Sequence, residues 1–300
     1  MRGGLGLIEV DGSMLEGGGQ ILRVSVALSA VSGIPVKVFN IRAKRSNPGL
    51  RPQHLTAIKA VAEVVNARVE GLHVGSRELV FIPSKPRSGF FSFDVGTAGS
   101  TTLVLQSLMP VAALAPSVVT AEIKGGTDNP MAPPVDYVER VLTPALLKMG
   151  YRCKVATLRR GFYPRGGGMV RAVMEPAGQL SPISLDGRRG SVEVRGVAYS
   201  CRLPSHVVER MSRAAYERLR EGGMDVVSIE REVLQPGHPK CSLDPGCGIL
   251  LVAEGEGCLM GSDSLGERGK PAEVVGREAA DSLLRQLETW ASVDRHLGDQ

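Results

Sequence analysis

Two glycine-bearing turns of one design recur in this chain, and no other feature limits the fold as much. In the first, Ile8-Glu9-Val10 reads as a short strand ending at Asp11-Gly12. Residues 15–23, L-E-G-G-G-Q-I-L-R, then lead into an apolar run, 21–31, of helical length. In the second, a strand at 90–95 runs into G-T-A-G-S-T-T-L-V-L-Q-S-L, residues 96–108. Strand, glycine turn and helix repeated at an interval of roughly eighty residues indicate duplicated β/α units. Glycine admits positive φ and close backbone approach, and a helix start presents unpaired N–H groups and a positive dipole end. Glu16 before the glycines and Arg23 beyond them would share one small volume, which suits a divalent metal or a phosphate; a plain strand-to-helix turn with two solvated side chains is equally open on these residues alone.

Between the turns, Ile34, Val36 and Val38 alternate as a strand. The segment 41–55, I-R-A-K-R-S-N-P-G-L-R-P-Q-H-L, is a turn-rich loop with four basic residues, Arg42, Lys44, Arg45 and Arg51, ahead of a helix from about His54 to Val65. Arginines at this spacing offer bidentate forks for phosphate oxygens, although a solvated charge run reads the same way. Leu79 and Phe81 mark a further strand. Beyond the second turn come a strand at 118–123, the rigid loop G-G-T-D-N-P-M-A-P-P, a helix at 135–149 that Pro144 can kink, and two strands near 152–158 and 169–174 that flank G-F-Y-P-R-G-G-G. From about residue 187 the texture changes. Strands at 192–197, 226–229 and 249–252 alternate with helices at 205–221 and 273–290, glycine turns thin out, and D-R-H-L-G-D-Q ends without a closing element.

A chain of 300 residues exceeds one simple core and implies two domains, or one with an insertion. Aromatic residues make up 4 %, so no broad base-stacking surface is advertised, and the net charge of +5 fits a polyanionic partner without demanding one. The N-terminus lacks a secretory pattern, no run is long enough to span a bilayer, and five irregularly spaced cysteines suit a reducing compartment, so a cytoplasmic enzyme is expected. His238, Cys241 and Cys247 have a zinc-like spacing but lack a fourth ligand and a C-x-x-C pair. Neither G-x-G-x-x-G nor G-x-x-x-x-G-K-[ST] occurs.

Taken together, L-E-G-G-G-Q-I-L-R, S-N-P-G-L-R-P-Q-H-L, G-T-A-G-S-T-T-L-V-L-Q, G-G-T-D-N-P-M-A-P-P, G-F-Y-P-R-G-G-G and the closing H-L-G-D-Q resemble the RNA 3′-terminal phosphate cyclases. The resemblance runs in order over residues 7–185 and returns at 296–300. It implies an α/β (α+β) fold of repeated β/α units, each with two helices on a four-stranded sheet, and a smaller α+β domain inserted in the third repeat. The implied bounds are 1–186 for the first two repeats and the start of the third, 187–290 for the insert, and 291–300 for the return. The implied activity is ATP-dependent conversion of an RNA 3′-terminal phosphate to a 2′,3′-cyclic phosphodiester, through covalent histidine–AMP and RNA-adenylate intermediates, with ATP and a divalent metal (Mg or Mn) as cofactors and RNA 3′-phosphate ends as partners.

Carried over residue by residue, the resemblance makes Glu16 the metal ligand and sets Arg23, Arg42, Arg45 and Gln53 in the phosphate and RNA pocket. It assigns ATP to Gln106, Pro133, Tyr137, His296, Leu297, Gly298, Asp299 and Gln300: Gln106 contacts the nucleotide, Pro133 and Tyr137 pack the adenine, His296 stacks on it and Asp299 holds the ribose. The family's nucleophilic histidine falls after Gln300, so the sequence reads as a fragment with no catalytic nucleophile of its own, expected to bind nucleotide weakly and to form no covalent AMP adduct. Two alternatives resemble the same architecture: a non-catalytic cyclase-like protein of ribosome assembly, against which Glu16, Arg42, Gln53-His54 and the intact G-G-T-D-N-P speak, and an enolpyruvyl transferase, which works without adenylylation.

Overall fold

The computed structural model describes residues 6–183 and 189–299. Two stretches of the chain fold into the same unit. In the first, β1 (Ile8–Asp11), α1 (Gly19–Ser32), β2 (Val36–Phe39), α2 (Pro52–Val64), β3 (Arg68–Glu70) and β4 (Leu79–Ile82) follow one another, and the sheet order is β1-β2-β4-β3. In the second, β5 (Gly89–Asp94), α3 (Thr101–Ala112), β6 (Val119–Gly125), a helical stretch, β7 (Cys153–Arg159) and β8 (Gly168–Met174) build the order β5-β6-β8-β7. In both, the first two strands are parallel and the other neighbours antiparallel. The duplicated β/α units expected from the glycine turns are therefore present.

The period-two pattern sets which face is covered. Val36 and Val38 point to the helices opposite Phe81 and Leu79, while Lys37 and Val80 face outward. Buried side chains of both sheets and of α1, α2 and α3 form one continuous core, so the two units share their helical layer.

The helix expected at 135–149 is built in three parts: α4 (Val135–Tyr137), a π-helical turn (Val138–Leu142) and α5 (Thr143–Lys148). Pro144 has no N–H to give the carbonyl of Arg140, so the chain widens by one residue before it. The Thr143 amide accordingly reaches back to the Val138 carbonyl.

The third sheet contains β9 (Arg189–Cys201), α6 (Ser205–Glu221), β10 (Asp225–Leu234), β11 (Gly246–Glu256), β12 (Cys258–Leu265) and α7 (Ala272–Glu288), in the order β10-β9-β11-β12. One face packs on α6 and α7. The other packs on Tyr137 and Val141 of the segmented helix and on Phe162. A strand covered on both faces needs apolar residues on both, which explains the unbroken run Ile249-Leu250-Leu251-Val252-Ala253 in β11. Gly276 lets α7 close on α6, since a Cβ there would overlap the Met211 carbonyl.

Three expectations are corrected. The strands β3 and β12 went unrecognised, because β3 has three residues and β12 carries Gly, Ser and Asp among its apolar positions. The helix read as 273–290 ends at Glu288. The last residues do form an element, the short helix α8 (Arg295–Gly298). The expected boundary at 186/187 and the ATP assignment of Gln300 lie outside the described residues.

Candidate active site

The first glycine turn meets the start of α2. Gly17 adopts φ +58°, Gly18 is extended at the helix boundary, and α1 begins at Gly19 with no side-chain cap on its amides. Gly19 must lack a side chain: a Cβ would overlap the His54 imidazole and lie 3.1 Å from Arg23 Nη1. A Cβ on Gly18 would stand 3.4 Å from Arg45 Nη2. The uncapped amides of α1 thus open onto a pocket walled by Arg23, Arg45 and His54, and that geometry recruits anions.

Glu16 projects from the rim, 92 % exposed, 3.6 Å from Arg45. Its cationic neighbour is therefore Arg45, while Arg23, the partner suggested by the turn, packs beneath the glycines. Arg42 has φ +52° and donates through Nη1 to the carbonyls of Asn47 at 2.6 Å and Gly49 at 3.0 Å, bracing the basic loop. Lys44 ties this loop to the first turn by donating to the Leu15 carbonyl at 3.2 Å.

His54 is 5 % exposed, and its Nδ1 accepts the Arg51 amide at 3.1 Å, closing the first turn of α2. The proton of the neutral ring then sits on Nε2, the nitrogen beside Gly19. Burial and the charges of Arg23, Arg42 and Arg51 push this imidazole down to about 4. Burial lowers Arg23 to about 10, and burial with the charges of Arg51 and Arg45 lowers Arg42. The pocket is a cluster of cations that repel one another, with one carboxylate at its edge.

Gln53 joins this pocket to the second turn: its Oε1 accepts the Ser100 amide at 3.2 Å and its side chain packs against Gly99. Ser100 caps α3 by accepting the Leu103 amide at 3.2 Å. Thr102 donates to the Pro133 carbonyl at 2.8 Å. Gln106 follows Thr102 by one turn on the same helix face and is half-buried. Four residues after Pro133, the Tyr137 hydroxyl donates to both carboxylate oxygens of Asp294, at 2.8 and 2.9 Å.

Asp294 organises the C-terminal segment. It is buried and also accepts the amides of Gly261 at 2.8 Å, His296 at 2.8 Å and Leu297 at 3.0 Å, so it caps α8 while holding it to β12. Leu297 packs on the cores of the second and third sheets, while His296, Gly298 and Asp299 face outward. Tyr137 is 1 % exposed beneath Gly261 and therefore presents no open ring face. Hydrogen bonds link Gln53 to Ser100, Ser100 through Thr102 to Pro133, and Tyr137 through Asp294 to His296, while Gln53 is next in sequence to His54 of the first pocket.

Several residues of this neighbourhood escaped sequence reasoning. The loop after β6 holds Asp128, and Asp136 opens α4; both face Arg160, which is 3 % exposed. Arg160 donates to Asp136 at 2.7 and 3.1 Å and to Glu232 of β10 at 2.8 Å, stands 3.6 Å from Asp128, and lies 3.6 Å over the Tyr199 ring. The Tyr199 hydroxyl donates to Asp128 at 2.6 Å. Burial raises the Asp128 carboxyl against the pull of Arg160. No local pattern advertises such a cluster; Asp294, one residue ahead of R-H-L-G, did carry a readable helix-cap signal.

Residues 14–300 match the model of the family described as RNA 3′-terminal phosphate cyclase. Among similar curated proteins, one from Hyperthermus butylicus is 52 % identical across 98 % of this chain and 82 % of its own length. Those from Ignicoccus hospitalis and Pyrococcus furiosus are 50 % and 49 % identical, each across 98 % of this chain and 83 % and 84 % of theirs. All three are named RNA 3′-terminal phosphate cyclase.

Proposed function

The chain belongs to the RNA 3′-terminal phosphate cyclase family, and from that membership and the make-up of the pocket we propose that it binds ATP and an RNA 3′-phosphate for conversion of the terminus to a 2′,3′-cyclic phosphodiester. A phosphate monoester has no good leaving group, so the AMP of ATP is first installed on the terminal phosphate by way of a histidine relay, the bond between the α- and β-phosphates breaking and pyrophosphate leaving. The neighbouring 2′-hydroxyl then forms its bond to phosphorus and AMP leaves. Histidine–AMP is the covalent relay of this reading, and none of the five histidines of this chain is assigned as its nucleophile: His54, the one in the pocket, serves as helix cap and pocket wall.

The observation that carries the reading is the gathering of Arg23, Arg45 and the uncapped start of α1 around one volume, next to Gln53, which is bonded to the turn that opens the helix of Gln106. Arginines and backbone amides are the donors that stabilise charge building on phosphate oxygens. In this reading Pro133, His296, Leu297, Gly298 and Asp299 take the nucleoside of ATP, with the buried Tyr137 holding Asp294 and so the segment that carries the last four. Residues 187–290 are the inserted unit.

The divalent metal is consistent with the donors present. No group of three metal-ligating side chains occurs among the described residues, and the lone, exposed Glu16 suits an ion delivered on nucleotide phosphates, which needs only one or two carboxylates from the protein. When bound, such an ion would neutralise charge on the phosphate oxygens.

The test compares short RNAs of one sequence ending in a 3′-phosphate or a 3′-hydroxyl, by fluorescence anisotropy. The phosphate form binds at least about tenfold tighter, since a charge-assisted hydrogen bond contributes roughly 1.5–3 kcal/mol. Arg23→Ala removes that preference. Equal affinity of the two RNAs for the unaltered chain would reject the reading.

A further inference from the structure

We propose that Tyr163, with Pro164, is a stacking platform for a nucleobase at the RNA 3′ end, an inference that rests on the RNA-binding reading above. Tyr163 is 78 % exposed, whereas Tyr137, Tyr151 and Tyr199 are all buried. Among the described residues it is the most exposed aromatic side chain, ahead of Trp290 at 69 %, Phe90 at 61 % and Tyr216 at 46 %, and it stands at the tip of a hairpin.

That hairpin is held from every side. Phe162, immediately before the tip, is buried against Tyr199 and Gly246. The Gly166 amide closes the turn on the Phe162 carbonyl at 2.8 Å. Arg165 donates from its amide at 2.9 Å and from Nε at 2.8 Å to Asp244, and from Nη2 to the Leu243 carbonyl. Gly161 and Thr127 exchange hydrogen bonds at 2.9 Å. The ring is thus carried on a backbone already ordered, and binding a planar partner costs little further ordering of the loop.

The tip also adjoins the second glycine turn, which Gln53 ties to the start of α2. Gly166, three residues on, lies against the second glycine turn so closely that a Cβ would stand 2.7 Å from the Ala98 Cα. The same turn is gripped from the other loop by Asn129, whose Nδ2 donates to the Ala98 carbonyl at 2.6 Å, and that loop exposes Met131. Arg165 and Lys240 keep about half of their side chains in solvent beside the hairpin. An exposed aromatic ring, an exposed thioether and two half-exposed cations, each beside a carboxylate, around the second glycine turn match the needs of a single-stranded end: a π face for a base and positive charge for its backbone. Every base offers such a face, so the platform tolerates any terminal sequence.

The experiment is a cycle of variants and RNAs at one salt concentration, read by anisotropy with a 5′-fluorescein RNA ending in 3′-phosphate and the same RNA lacking its terminal base. Tyr163→Ala weakens the intact RNA at least fivefold, Tyr163→Phe leaves it within twofold, and the loss of the base weakens the unaltered protein by a factor that Tyr163→Ala no longer shows. Failure of the unaltered chain to bind the RNA overturns the RNA-binding reading and this proposal with it. Binding that ignores Tyr163→Ala overturns the platform alone, as does an equal effect of Tyr163→Ala on both RNAs, because the ring would then touch backbone and not base.

Discussion

At the scale of the residue, His54 is the side chain whose chemistry the pocket changes most. An unfolded histidine takes up its proton near pH 6.5, whereas the folded ring, buried among arginines, resists protonation down to about 4. Between those values the unfolded chain binds the extra proton, so stability falls as pH drops from 6.5 towards 4; above 6.5 the group contributes no pH dependence. The expected loss is about 3 kcal/mol across that window. Urea unfolding of His54→Asn, which keeps an acceptor for the Arg51 amide, shows an acid limb shallower by that amount. Identical pH profiles for variant and unaltered protein would mean that His54 titrates freely. The bound form of the pocket reverses part of this effect, because a phosphate placed among the arginines offsets their repulsion of the charged ring.

At the scale of the element, local and distant causes separate cleanly. The glycine turns were legible because their demand is local: positive φ at Gly17 and Gly96, and no room for a side chain at Gly19. Duplicated strands and helices followed from hydrophobic period. The π-helical turn was not legible, for it depends on how the chain accommodates Pro144 within a packed helix; α8 had a readable local cap in Asp294, but its attachment rests on a hydrogen bond from Tyr137, far away in sequence. Asp294 carries α8 almost alone. Asp294→Ala leaves the Tyr137 hydroxyl and the Gly261, His296 and Leu297 donors without their shared acceptor, a cost of about 3 kcal/mol for groups bonded to a buried charge. Amide exchange of residues 293–299 accelerates while that of α2 does not. Unchanged exchange in this segment would show that Leu297 packing suffices.

At the scale of the whole molecule, Arg160 connects the second sheet to the third. Its partners come from the loop after β6, from α4 and from β10, and no motif joins them. Their assembly could not be read from the chain because each residue is unremarkable until the fold brings them together. Arg160→Met buries uncompensated carboxylates at Asp128 and Asp136 and lowers stability by about 3–5 kcal/mol, measured by chemical denaturation. A change under about 1 kcal/mol would show that water reaches the cluster. The tie between the two turns was equally invisible: Gln53, next to His54 at the start of α2, accepts the Ser100 amide, so the start of α2 and the second turn are fastened together.

The strand order of the third sheet sets it apart from the other two. Its parallel pair is entered from the central strand, β9, and leaves for the edge strand, β10, whereas the first two sheets start at the edge. With right-handed crossovers in each, the helix after that strand covers the opposite side of the sheet. The third sheet is therefore no copy of its neighbours, and its spare side is free to roof over Tyr137, Val141 and Phe162. Without that sheet the rings of Tyr137 and Phe162 would meet water, so the two doubled units depend on their roof for solubility as much as for shape.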